Sequence, residues 1–215
     1  MPPTNADTIR SAVFARHLHV NSVNRRGGIM PDERIMVREI KSPLGGMIAG
    51  ATQQGICFLE WCSGVEGAIK KIEKIFAIHI LEGTHGFLDQ LKAELEEYFG
   101  GKRKEFQVPV DIRGTDFKIA VWKQLQNIPY GETSSYGQLA MLLKKPSASR
   151  AVGTACGSNR VSIVIPCHRV LGADGGLHGY GGELWRKKYL LDLEQGLKPE
   201  ITAEDSKPDQ EVLPR

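Results

Sequence analysis

The chain has 215 residues, enough for one large domain or two small ones with separate cores. Hydrophobic residues make up 41% and charged residues 25%, which excludes a fibrous, low-complexity or membrane-spanning composition. The net charge of +3 is too small to name a partner, although residues 111–196 carry 11 Lys+Arg against 7 Asp+Glu, a mildly basic half compatible with nucleic acid. No apolar run approaches the ~20 residues that span a bilayer, and the N-terminus lacks the apolar core of a signal peptide. The sequence therefore reads as intracellular, cytoplasmic or nuclear in a eukaryote, with no membrane partner.

Residues 1–30 are polar and irregular, and Ile9 to Leu18 is their one stretch with helical character. They read as a mobile N-terminal extension, or as a remnant of another DNA-binding unit. Arg34 to Ile40 alternates, Ser42-Pro43-Leu44-Gly45-Gly46 is a turn, Met47 to Ala51 is apolar, and Thr52 to Gly55 turns again before Ile56-Cys57-Phe58-Leu59. This pattern predicts a β-meander. Helical spacing predicts one helix over 64–76 and another over 87–99, where Leu88, Leu91, Leu95 and Phe99 share a face and Gly100-Gly101 stops the run.

The charged stretch Lys102 to Glu105 and the extended Val108-Pro109-Val110 mark a domain boundary. The expected divisions are an extension over 1–30, an α/β domain over 31–107, a second domain over 108–196 and a polar, disordered tail over 197–215. In the second domain, Thr115 to Leu125 reads as a helix and Ile128-Pro129-Tyr130-Gly131 as a turn. Thr133 is placed to cap a helix over 134–143. Lys144-Lys145-Pro146 breaks that helix, and a third helix runs over 147–156, giving a helix-turn-helix pattern. Val161 to Ile165 is a short apolar run expected as a buried strand ended by Pro166. Leu171 to Gly182 is a glycine-rich loop, and 184–195 is a final helix.

Chemistry concentrates at Pro166-Cys167-His168-Arg169-Val170. Of the four cysteines Cys57, Cys62, Cys156 and Cys167, none forms a Cys-x-x-Cys pair, and Cys57 and Cys62 with His79 or His85 have irregular spacing for a metal site. Cys156 reads as packing. A free thiol has a pKa of about 8.5 and is mostly protonated at neutral pH, so a nucleophilic cysteine needs a base. His168 stands beside Cys167, and imidazole, with an ordinary pKa of about 6.5, suits that task. The imidazolium would need an acidic partner, for which Glu194 on the last helix is a candidate. Adjacent residues often point apart, so the pair alone is compatible with a structural cysteine as well as a reactive one.

Ile165-Pro166-Cys167-His168-Arg169-Val170 resembles the active-site motif of the O6-alkylguanine-DNA alkyltransferases, also called methylated-DNA–protein-cysteine methyltransferases. The resemblance extends through Val110 to Thr115 with Phe117, Ile128-Pro129, Gly131-Glu132-Thr133, Ser135-Tyr136 and Gln138-Leu139-Ala140. It continues at Arg150-Ala151-Val152-Gly153, Asn159, Gly179-Tyr180, Gly182, Arg186-Lys187, Leu190-Leu191 and Glu194. The strong match covers about residues 108–196. The first domain matches weakly, mainly at Ser42-Pro43-Leu44-Gly45 and Gly55-Ile56.

The resemblance implies an α/β fold in two parts: a small ribonuclease-H-like N-terminal domain, with a β-meander plus helices, and a C-terminal winged helix-turn-helix domain. It implies single-turnover alkyl transfer from O6-alkylguanine, and O4-alkylthymine, in double-stranded DNA, by a monomer without a cofactor. Cys167 corresponds to the alkyl acceptor, His168 to its base acting through a water, Glu194 to the carboxylate that orients the histidine, and Asn159 to the brace of the active-site turn. Arg150 corresponds to the arginine that fills the gap left by the extruded nucleotide. Tyr136 corresponds to the tyrosine that rotates the 3′ phosphate and protonates the leaving purine. Tyr180, Val170 and Gly181 line the pocket for the flipped base.

Extrusion costs a few kcal/mol, which an inserted side chain partly offsets. The helix over 147–157 carries the small residues Ala148, Ala151, Gly153, Ala155 and Gly157, which suit close approach to DNA and equally suit tight helix packing. Two departures from the family pattern put substrate range in question: Glu183 stands where glycine is common, and Gly181 replaces a polar or larger residue. Two other classes stand beside the transferase. A lesion-binding protein of the alkyltransferase-like kind lacks the acceptor cysteine, against which Cys167 argues. A transcription regulator that senses alkylation would want a metal-binding cysteine cluster upstream, where residues 1–107 hold two cysteines.

Overall fold

Alternating side chains and two tight turns build three consecutive antiparallel strands: β1 (Arg34–Ser42), β2 (Gly45–Thr52) and β3 (Gly55–Trp61). The computed structural model describes residues 34–62, 79–199 and 201. The helices expected over 9–18 and 64–76, and most of the tail, lie outside the described residues. Ile40 faces Met47 across the first pair and Ala49 faces Leu59 across the second, with a bulge at Gly50. A Cβ on Gly50 would sit 2.1 Å from the Phe58 ring, so glycine there makes room for the aromatic side chain. A fourth strand not foreseen from the sequence, β4 (His79–Glu82), runs parallel to β1 and completes the order β3-β2-β1-β4.

Helix α1 (Gly86–Phe99) covers the sheet, capped by His85, whose side chain accepts from the Phe87 backbone N–H. Leu88, Leu91, Leu95 and Tyr98 are its buried stripe. The sequence reading put Phe99 there instead. Steps of three, four and three residues keep Tyr98 on the core side and leave Phe99 half-buried. Buried Glu94 accepts from the backbone N–H groups of Gln107 and Val108 at 2.9 and 3.2 Å, fastening the segment that leaves the helix.

That segment runs along the free edge of β3. Ile56 N–H donates to Pro109 O at 2.8 Å, and Asp111 N–H donates back to Ile56 O at 2.9 Å. Farther along the same edge, Leu59 N–H donates to Arg160 O and Ser162 N–H donates to Leu59 O. Both pairings occupy backbone groups that an edge strand would otherwise leave open.

The second half is helical. α2 (Asp116–Gln126) is capped by Thr115, and its Trp122 indole donates to Ala155 O at 2.8 Å. The cap of α3 (Tyr136–Leu142) is Ser135, not Thr133. Ser135 and Gln138 form a capping box, with each side chain bonding the other's backbone N–H, and Ser134–Ser135 instead form the short strand β5. A 3₁₀ turn (Pro146–Ala148) leads into α4 (Ser149–Gly157), completing the helix-turn-helix. β6 (Val170–Leu171) pairs parallel with β5, and α5 (Leu184–Glu194) closes the domain.

The run 161–165 is buried as expected but is not a strand. After the single bridge at Val161 it coils, with Ile165 N–H donating to Val161 O and Ile163 at φ 69°. A short apolar run reports burial without reporting conformation.

Gly55 has φ 152°, and a Cβ there would lie 2.5 Å from Pro109 O. Gly55→Ala must therefore shift the paired backbone at 108–111. Its expected cost is about 1–3 kcal/mol, read as a fall in the midpoint of urea unfolding.

Candidate active site

The buried coil 161–166 delivers Cys167 to the first position of a 3₁₀ turn (Cys167–Arg169). Cys167 N–H donates to Ile165 O at 2.8 Å, and Arg169 N–H donates to Pro166 O at 3.0 Å, so both flanks of the thiol are tied to the backbone. Asn159 braces this turn from the end of α4. Its Nδ2 donates to Ile165 O at 2.8 Å and to Cys167 Sγ at 3.2 Å, while its Oδ1 accepts from Val161 N–H at 3.0 Å. Burial pushes the Cys167 thiol above its ordinary range, opposed by the Asn159 bond, the nearby Lys187 charge and its own backbone N–H. The resting group is a thiol.

His168 is fully buried, with Nε2 2.8 Å from Glu194 Oε1. Burial lowers its pKa, although the Glu194 hydrogen bond pulls the other way, so the ring is neutral. A neutral ring donating from Nε2 to a carboxylate carries its lone pair on Nδ1. That Nδ1 is buried and has no hydrogen-bond partner among the described residues.

Glu194 is buried, not a solvated surface charge. Its Oε1 takes hydrogen bonds from His168 Nε2, Tyr98 Oη at 2.7 Å and Arg169 Nη2 at 2.9 Å. Its Oε2 takes them from Arg169 Nε at 2.8 Å and Gly131 N–H at 3.1 Å. Burial alone would raise its pKa, but the bonds from His168 and Arg169 prevail and hold it at about 2.

The remaining candidates gather around this centre. Val170 is fully buried on β6. Tyr180 is half-buried with its hydroxyl enclosed; burial, then the neighbouring Cys167, pushes its pKa far up. Gly181 is exposed. Tyr136 at the start of α3 is half-buried, bonded through its hydroxyl to His178 O at 3.1 Å, with its ring against Gly153. On α4, Arg150, Ala151, Thr154 and Gly157 face solvent, while Val152, Ala155 and Cys156 face the core. The small residues thus divide, Ala155 serving packing and Ala151 and Gly157 forming an open outer surface.

The sequence quoted three side chains at this centre without a role, or passed over them. Arg169 grips Glu194 and also donates to Ile128 O at 2.6 Å. Lys187 is fully buried and donates to Val170 O and His178 O, tying β6 to the glycine-rich loop. Tyr98 reaches Glu194 from the other domain, across 96 residues of sequence. The sequence reading put Phe99 on that helix face in its stead, and its long-range partner leaves no sequence signal. Among the described residues, no group of three or more His, Cys, Asp or Glu is placed to hold a metal ion, and no helix is long and apolar enough to cross a membrane.

Residues 35–112 match the ribonuclease-like domain of 6-O-methylguanine DNA methyltransferase, and residues 116–196 match its DNA binding domain. A methylated-DNA–protein-cysteine methyltransferase of Methanosarcina barkeri is 41% identical over 156 residues, covering 73% of this chain and 94% of that protein. The inducible one of Bacillus subtilis is 49% identical over 137 residues, covering 64% of this chain and 76% of that protein. Among solved structures, a Mycobacterium tuberculosis protein in complex with DNA superposes with a TM-score of 0.65 at 39% identity, covering 75% of this chain and 93% of that one. With an N-terminal ribonuclease-like α/β domain and a C-terminal DNA-binding helical domain in the order of both models, the chain belongs to the 6-O-methylguanine DNA methyltransferase family.

Proposed function

We propose that this chain repairs alkylated double-stranded DNA by moving one alkyl group from O6-alkylguanine, and from O4-alkylthymine, onto Cys167. The observation that carries this reading is the Asn159–Cys167 bond beside the buried His168–Glu194 pair, in which His168 Nδ1 keeps an uncommitted lone pair. His168 takes the thiol proton through a water, and Glu194 stabilises the imidazolium so formed. The thiolate attacks the alkyl carbon, a carbon–sulfur bond forms, and the carbon–oxygen bond breaks with its electrons passing to the base. Tyr136 gives its proton to the leaving purine. The product thioether has no route back, so each molecule acts once.

Binding follows from the outer face of α4. Arg150 is exposed at its start and is suited to fill the stack when the damaged nucleotide leaves it. The DNA complex of the Mycobacterium tuberculosis relative supports DNA as the partner. Tyr180, Val170 and Gly181 receive the extruded base.

Mass spectrometry after mixing with a duplex carrying one O6-methylguanine is expected to find one methyl on the Cys167 peptide and no more than one per protein. Cys167→Ala should hold the duplex and gain no mass, while Arg150→Ala should slow duplex repair and spare transfer from the free base. Tight binding without added mass in the wild type would overturn the reading.

Acid sensitivity follows from the two buried groups. His168 has a depressed folded pKa, so the unfolded chain takes up the extra proton first and stability falls as pH drops through 6.5. Glu194, at about 2 when folded against an ordinary 4.5, adds stability that is present above 4.5 and lost as pH falls toward 2. Chemical denaturation across this range should show both losses on the acid side.

Tyr98→Phe removes one hydrogen bond to a buried carboxylate, at an expected cost of about 1.5–3 kcal/mol. The more basic Glu194 then holds the imidazolium better. The acid limb of the transfer rate should therefore move to higher pH, a shift that lost packing alone would not produce.

A further inference from the structure

We propose that Trp61, contributed by the N-terminal domain, is the wall of the alkyl pocket that limits adduct size; this rests on Cys167 being the acceptor. A Cβ on Gly182 would lie 2.2 Å from Trp61 Cδ1, 2.3 Å from Trp61 Nε1 and 2.9 Å from Tyr180 Cε1. The indole and the phenol therefore meet over Gly182, and Tyr180 lies within electrostatic reach of Cys167. Trp61 Nε1 and Tyr180 Oη are both enclosed, and the indole N–H acts on the Tyr180 hydroxyl, so the two rings are held as one surface.

The wall is clamped. The Arg186 guanidinium lies between two indoles, 4.9 Å from the Trp61 ring and 4.6 Å from the Trp185 ring. Its Nε donates to Leu44 O at 3.0 Å, and its Nη1 donates to Gly182 O at 3.4 Å. Glu183, at φ 69° and ψ 150°, occupies backbone space that side chains avoid, and is held there by the Trp185 indole N–H on its carboxylate, 3.8 Å from Arg186 Nη1. A carboxylate at this position thus does not project freely into the pocket; it anchors the stack that backs Trp61. Small adducts pass beneath the indole, and a benzyl group meets it.

The test compares transfer rates from two duplexes, one with O6-methylguanine and one with O6-benzylguanine, using the full chain. Trp61→Ala is expected to raise the benzyl-to-methyl rate ratio by about tenfold or more, the scale at which a pocket discriminates by bulk. Trp61→Phe, which keeps an aromatic wall, should leave the ratio at its wild-type value. Trp185→Ala loosens the clamp from its outer side and should raise the ratio by about threefold; it decides the matter if Trp61→Ala does not fold. An unchanged ratio in the folded Trp61→Ala, or in Trp185→Ala where that variant decides, overturns the proposal. Methyl transfer by the wild type in the same assay keeps that failure distinct from failure of the acceptor assignment, which would show as no transfer from either duplex.

Discussion

The carboxylate of Glu194 is the point on which the rest of the site depends. It is buried, charged, and surrounded by five donors from four residues, on elements spread from residue 98 to residue 169. A buried charge survives only where such bonds replace its lost water. The arrangement therefore fixes several things at once: the orientation of His168, the approach of the turn at Gly131, the position of Arg169, and the seat of α1 against α5. Removing the carboxylate would strand Arg169 as an unpaired buried cation, which is a larger disturbance than the loss of a catalytic proton partner.

One of those donors belongs to the first domain, and so does Trp61. The ribonuclease-like unit thus reaches the second domain at two places: a hydroxyl on the carboxylate behind His168, and an indole over Gly182 beside Tyr180. Lys187 and Arg186, neighbours on α5, serve the same division, one holding β6 to the glycine-rich loop and the other wedged between tryptophans. The helix that ends in Glu194 therefore fixes His168, β6 and the Trp61 stack together.

Local chemistry was legible in the sequence where one residue type has one use. Strand alternation, the glycine-marked turns and the Pro166 to Val170 motif were all readable in this way. Ser135 was misjudged because both Thr133 and Ser135 are good caps, and the deciding feature is the reciprocal bond from Gln138, three residues on. The 161–165 segment was misjudged because burial favours apolar residues in coil as much as in strand. Tyr98, Trp61 and Arg169 escaped because their meaning lies in partners distant in sequence. β4 lies beyond a segment that shows no period-2 pattern to announce it. Glu183 stood out as unusual, yet its effect on the pocket follows from a backbone angle that no residue pattern displays.

The pairing along β3 has a consequence for how the molecule divides. The edge of that strand is closed at Ile56 by the crossing segment and at Leu59 by the coil that leads to Cys167. A chain severed between its two halves would expose donors and acceptors on both fragments, on the sheet margin and on the coil that precedes Cys167. Each half would carry an adhesive backbone edge, prone to self-association. The two domains are separable in family terms, but as physical objects they are one folding unit, and exchange of either half between relatives is constrained by a strand margin rather than by surface side chains.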